Sequence, residues 1–238
     1  MKIDRALIIR RLKVQDSLDY AKMCADSCEK FGVPYEYIDG IEFVSSEEAM
    51  ELVGAWINPK QYEQARGRGV STGNNCCHAS HIKAWRKILE INKPCLILEH
   101  DSIVKGDVRT VDMIDDAIIN CGHRISHPDM YEPIRPADSL VKIRTASGGH
   151  AYALTPKTAK YLIDDVEQNG VNINVDEWIN LKCGLPLYTM EPSQVVCWPR
   201  VSSREWQDLE KERKEMGASW CFAEELTQSW REGMKIKS

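Results

Sequence analysis

The chain lacks any apolar run near the roughly 18 to 20 residues that a membrane-spanning helix needs. Its N-terminus, "MKIDRALIIRRLKVQD", breaks off after four apolar residues. Gly/Pro-rich linkers, low-complexity tracts and internal repeats are also missing, so 238 residues read as one α/β-sized unit with an ample core. The division expected is a domain over residues 1–200 and a charged helical extension over 201–238 packing on it. Excess positive charge is absent too: the formal net charge is −5, which argues against non-specific nucleic-acid binding as the main activity. One basic stretch, "MKIDRALIIRRLK", holds five bases and one acid. It reads either as the solvated edge of a buried strand or as a phosphate-facing rim. The nine cysteines are odd in number and follow no disulfide spacing, so they are expected as reduced thiols serving mostly as core. Cys24 and Cys28, four apart with Ala21, Ala25 and Phe31 in a helical segment, illustrate this.

What is present alternates between strand and helix. Ala6–Ile9 is a buried-strand pattern. Asp16–Phe31 predicts a helix that stops at Gly32, with Pro34 beyond, and "YEYIDG" a second strand running into a turn. This β-α-β opening predicts a parallel sheet. "SSEEAMELVGAW" predicts a short helix with Ser45 and Glu48 at capping-box spacing, and "ARGRGVSTG" a glycine-containing loop, either a lid or a mobile surface loop. His78–Leu89 carries Ile82, Trp85, Ile88 and Leu89 at helical spacing. "PCLIL" is then an unbroken apolar run, the mark of a strand covered on both faces. Glu99, His100 and Asp101 fall at that strand's C-terminal end, where open α/β sheets bind ligands. Further on, "SGGHAYAL" couples a glycine pair to a strand, and "TPKTAKYLIDDV" predicts a helix with Thr155 as N-cap. "VNINVDEWINLKCGLPLYTMEPSQV" reads as loop, short helix and strand. A charged helix from Ser202 closes the chain.

The stretch "GNNCCHASHIKAWRKILEINKPCLILEHDSIV" concentrates cysteine, histidine and acid. Three readings are open. A zinc site would take Cys76, Cys77, His78 and His81, but adjacent cysteines point one thiol away and no second CxxC or HxxxH completes a tetrahedron. A catalytic site would use Glu99-His100-Asp101, whose hard oxygens suit Mg²⁺ or Mn²⁺. The plainest reading is a strand followed by a cap, with Asp101 capping the turn.

The motifs resemble glycosyltransferase family 25, which includes lipopolysaccharide sugar transferases and procollagen galactosyltransferases. "ALIIRRLKVQDSLDYAKMCADSCEKFGVPYEYIDGIE" resembles its opening strand, helix and turn, and "GNNCCHASHIKAWRKIL" its G-x-x-G-C-x-x-S-H-x-x-x-W-x-x-I block. "CLILEHDSIV" resembles its acidic strand end, with His100 where aspartate is usual. "GGHAYALTPKTAKYLI" resembles its G-T-x-A-Y-x-I-S-x-x-G-A-x-x-L block, and "NVDEWI" falls where the family carries an aspartate. Together these matches run from residue 3 to 198.

The resemblance implies a GT-A fold, a Rossmann-like α/β/α sandwich with a mostly parallel sheet. It implies an enzyme that moves a sugar from a nucleotide-diphosphate donor, expected to be a UDP-sugar, to an acceptor hydroxyl by an inverting displacement with Mn²⁺ or Mg²⁺. The implied metal ligands are Asp101 and Glu99, which makes zinc unnecessary. Donor contacts are expected from Arg10, Arg11, Asp39, Ser80, His81, Glu99, Asp101 and His150, with Lys13 beside them. His150 reads equally as a hydrogen-bonded structural histidine. The expected base is Asp176, with Glu177 as fallback, although Asp176 reads equally as the N-cap of "EWINL". Without a signal peptide, and ending "KIKS", the chain points to a bacterial or viral cytoplasmic enzyme. Its acceptor is a carbohydrate, a protein or a hydroxymethylated base of phage-type DNA. The other class of function is a catalytically inactive relative used as a binding module.

Overall fold

The computed structural model describes residues 1–60, 71–124, 131–146, 148–181 and 183–197. The expected C-terminal extension over 201–238, and most of the loop "ARGRGVSTG", lie outside these residues. Within them no helix is long and apolar enough to cross a membrane.

The first half of the chain builds the parallel edge of a seven-stranded sheet. Strands β1 (Arg5–Arg10), β2 (Tyr35–Asp39) and β3 (Cys95–Glu99) run parallel, with β1 between the other two. Helix α1 (Gln15–Lys30) makes the first crossover. Strand β8 (Ala151–Leu154) then pairs antiparallel with β3, and the order continues β5 (Ile118–Asn120), β9 (Leu187–Glu191) and β7 (Ser139–Ile143). Three of the six pairings are parallel and three antiparallel, so the sheet is mixed beyond β3. A second sheet orders β4 (Ser102–Val104), β10 (Val195–Cys197) and β6 (Gly122–Arg124).

Strand alternation sorts the core into two layers. Leu7, Ile9, Cys95, Ile97, Tyr152 and Leu154 face one side of the large sheet, and Ala6, Ile8, Leu96, Leu98, Ala151 and Ala153 face the other. The first layer is closed by α2 (Ser46–Glu51), α3 (Thr72–Ile91), α4 (Pro156–Asn169) and α5 (Val175–Leu181), the second by α1. Cys24 and Cys28 are fully buried there as core residues, and the eight described cysteines are all free thiols.

Caps set several of the helix ends. The Ser45 hydroxyl accepts from Glu48 N–H and the Thr155 hydroxyl from Thr158 N–H, as their spacing predicts. Helix α3 corrects one expectation. It starts at Thr72 under a Ser71 cap, six residues before His78, so Thr72 and Gly73, expected as the end of the loop, are helix, as is "NNCC" after them. Propensity alone disfavours Gly73, Asn74 and Asn75 in a helix; the Ser71 cap and the burial of Asn75 and Cys76 override it. The earlier start puts Cys77 and His81 four apart on one helix, hence on one face.

Candidate functional site

The C-terminal ends of β1, β2 and β3 lie side by side, because the register places Arg10 opposite Asp39 and Ile9 opposite Glu99. Strand β8 runs the other way, so its start meets the same edge: Glu99 N–H donates to the His150 carbonyl at 2.8 Å. Gly148, Gly149 and His150 therefore arrive beside Glu99.

Glu99 is the point of convergence. Following Ile97 in the alternation, it faces the α3 layer, where His81 Nε2 stands 3.3 Å from its Oε1 and the Cys77 thiol 3.8 Å from the same oxygen. His81 is fully buried and its Nδ1 lies 2.8 Å from the Tyr152 hydroxyl, with the two rings stacked. The Trp85 indole N–H donates to that hydroxyl at 2.8 Å. An indole N–H can only donate, so the Tyr152 oxygen accepts it, and the hydroxyl so held fixes the ring whose Nε2 faces Glu99. Burial pushes the Glu99 carboxyl up, but the hydrogen bond and electrostatic pull of His81, with His150 and His100 adding to it, outweigh that and hold it at about 2. Burial pushes the Tyr152 phenol well above its ordinary range, so it stays protonated.

Asp176 joins this group from α5. A Cβ on Gly149 would lie 2.7 Å from Asp176 Oδ1, and a Cβ on Gly148, whose φ is +84°, would lie 3.0 Å from His150 Nδ1 and 3.8 Å from Asp176 Oδ2. The carboxylate thus rests on the glycine pair, which has no side chain to displace it. Asp176 lies in the first turn of α5 and not at its cap, because the helix begins at Val175. Glu177 follows in the same turn, half-buried.

Other expected donor contacts are placed nearby but are engaged with one another. Arg10 Nε bonds Asp39 Oδ1 at 2.9 Å, and its guanidinium lies over the Tyr37 ring. A half-exposed pair of this kind contributes about 0–1 kcal/mol, so its main effect is to fix the guanidinium at the strand ends. Arg11 turns to Glu42 at 3.4 Å, and both Arg11 and Lys13 hold their charges over the exposed Phe43 ring. Phe43 itself has φ +60°, a strained conformation for an aromatic residue. Ser80 is a structural hinge: its hydroxyl donates to the Cys76 carbonyl and accepts from Ile41 N–H, joining α3 to the loop after β2.

Asp101 goes elsewhere. The chain turns after Glu99, and the Asp101 carboxylate, 4% exposed, accepts from the Cys197 thiol at 3.2 Å. It lines a crevice with Tyr20 and Met23 of α1, on the opposite layer from His81. The hard-cation pair expected from Glu99 and Asp101 therefore fits at Glu99 but not at Asp101 in this conformation. Nor does the four-residue zinc set converge: Cys76 donates to the Val44 carbonyl, and His78 bonds the Ile173 carbonyl between Trp85 and Trp178. Among the described residues, the group whose ligand atoms all lie within 4.8 Å of one another is Cys77, His81 and Glu99.

Tyr152 is the site residue that pattern reading passes over. Its signal is a hydroxyl in an otherwise apolar, fully buried strand, which must find partners.

No curated protein sequence matches the chain. Among solved structures, the galactosyltransferase LgtC in complex with donor and acceptor sugar analogs is similar at 11% identity and a TM-score of 0.44, covering 82% of this chain and 87% of that one. An active-site mutant of LgtC is similar at 11% identity and 0.44, covering 87% and 94%. A glycosyltransferase involved in the glycosylation of the major capsid of PBCV-1 is similar at 10% identity and 0.41, covering 89% and 99%. Likeness at this level carries no residue role from one chain to another. The model of glycosyltransferase family 25 (LPS biosynthesis protein) matches residues 14–127, a stretch that includes Cys77, His81, Glu99 and Asp101. Over that stretch, which is under half of its length, the chain is similar to glycosyltransferase family 25, and the match points to a glycosyltransferase enzyme.

Proposed function

We propose that this enzyme transfers a sugar from a nucleotide-diphosphate donor, a UDP-sugar in the first instance, to an acceptor hydroxyl with inversion at the anomeric carbon. The observation that carries this reading is the gathering of Asp176, His150 and Glu99 around a glycine pair at the C-terminal edge of the parallel strands. Such an edge is where α/β sheets receive nucleotides.

The transfer needs a base on the acceptor side of the sugar. Asp176 takes that role: its carboxylate removes the acceptor hydroxyl proton, the oxygen forms its bond to the anomeric carbon, and the bond to the diphosphate oxygen breaks. Gly148 and Gly149, having no side chains, leave the space in which that carboxylate stands. Arg10 and Asp39 stand where the nucleoside end would lie, and His150 beside the sugar. Asp101, bonded to Cys197, acts through the fold by tying the turn after β3 to β10. A divalent cation, when bound, supplies positive charge against the leaving diphosphate, and Glu99 is the ionised oxygen donor at the site for it.

Thermal denaturation of the purified protein with UDP, UDP-sugars, GDP and CDP, each with and without Mn²⁺, tests the reading. Ligand at about 100 times its Kd stabilises by about 2.7 kcal/mol, a readily measured rise in Tm. The expected result is a rise with one UDP-sugar. No rise with any nucleotide would favour a binding module without transferase activity.

A further inference from the structure

We propose that Cys77, His81 and Glu99 form a binding site for a thiophilic divalent ion of the Zn²⁺ class, in place of the oxygen-only site for Mn²⁺ or Mg²⁺ that the Glu99-Asp101 pair suggests. This inference rests on the geometry around Glu99 and not on the transfer reaction.

The donor spacing fits such an ion. Tetrahedral zinc, with bonds of roughly 2.3 Å to sulfur and 2.0–2.2 Å to nitrogen and oxygen, sets neighbouring ligand atoms about 3.3–3.7 Å apart. Here His81 Nε2 and Glu99 Oε1 are 3.3 Å apart, Cys77 Sγ and Glu99 Oε1 are 3.8 Å apart, and all three atoms lie within 4.8 Å of one another. One edge of a tetrahedral face is at its bonded length and a second is close to it before any ion arrives. Two donors come from one helix at i and i+4, and the third from a buried strand, so the backbone holds all three.

The surroundings fit as well. Metal-bound imidazoles are fixed through their other ring nitrogen, and His81 Nδ1 is held by Tyr152, itself held by Trp85. Cys77 and Glu99 are only partly buried, which leaves a fourth position open toward the strand-end edge and its ligand. A thiolate-imidazole-carboxylate set favours zinc-like ions over the hard cations that prefer oxygen alone. Binding releases one proton to solvent, from the Cys77 thiol; Glu99 binds as its carboxylate, and His81 binds through the Nε2 lone pair with its ring hydrogen on Nδ1, donating to the Tyr152 oxygen.

Cobalt titration of the full-length, chelator-treated, reduced protein tests this without any sugar donor. The expected result is a thiolate-to-cobalt charge-transfer band that saturates at one equivalent, is abolished by one equivalent of Zn²⁺ and is unaffected by equimolar Mn²⁺. Cys77→Ser, at a half-buried position, should fold normally and lose the band. Glu99→Gln should keep a band but weaken cobalt binding at least tenfold. Absence of the band in the wild type, or its persistence in Cys77→Ser, would overturn the proposal. Neither result bears on the nucleotide-dependent Tm shift, so the two readings fail separately.

Discussion

The His81 imidazole and the Tyr152 hydroxyl are joined at 2.8 Å across the interface between α3 and β8. Through that bond the indole of Trp85, deep in the core, fixes the ring that faces Glu99. Tyr152→Phe removes the hydroxyl and strands two buried groups. It should lower stability by about 1–3 kcal/mol in urea unfolding and reduce kcat more than it raises the donor KM, because Glu99 loses its orientation. Unchanged kcat would mean that the bond serves folding only.

Asp176→Asn should lower kcat about 10²- to 10⁴-fold with an unchanged Tm, while Glu177→Gln should leave transfer near the wild-type rate. Steady-state kinetics on the two variants separates the roles of the adjacent acids. The reverse ranking would move the base to Glu177.

Gly149→Ala tests the same carboxylate from the opposite side. Gly149 does not have a left-handed backbone, so alanine fits locally, but its Cβ would lie 2.7 Å from Asp176 Oδ1 and must push it aside. The protein should fold and lose most of its kcat. Full activity would show that Asp176 can act from another position.

Two sets of buried groups give acid sensitivity in different windows. Burial lowers the His78 imidazole from 6.5 to about 3 and the His123 imidazole from 6.5 to about 4. The unfolded chain takes those protons first, so stability is full above pH 6.5 and declines as pH falls below it. Glu99 is depressed from 4.5 to about 2, so its contribution is present above pH 4.5 and is lost as pH falls toward 2. Urea midpoints across pH should show the first decline shallower in His78→Gln and the second shallower in Glu99→Gln. Each group sets at most about 1.4 kcal/mol per pH unit. Identical slopes in variants and wild type would refute these assignments.

The parts of the fold that obey a simple period are legible in the sequence. The β1-α1-β2 opening, the apolar β3, and the Ser45 and Thr155 caps follow from alternation and capping spacing alone. Three-residue strands such as β4, β5, β6 and β10 are too short to show a period, and β7 alternates weakly because little of it is buried. Glu99, His81 and Asp176 are visible as chemistry-bearing residues, and the fold brings them to one edge. What sequence spacing could not tell is direction. Glu99 and Asp101, two residues apart, face different layers because the chain turns between them. Cys77 joins Glu99 only because α3 starts earlier than its apolar pattern suggests. Tyr152 becomes important through a partner 71 positions away in the chain.

The glycine pair also sets where the acid can stand. A Cβ at position 149 would lie 2.7 Å from Asp176 Oδ1. The carboxylate in its present place and a side chain on that residue exclude each other, so the bare backbone is what admits the acid to the strand-end edge.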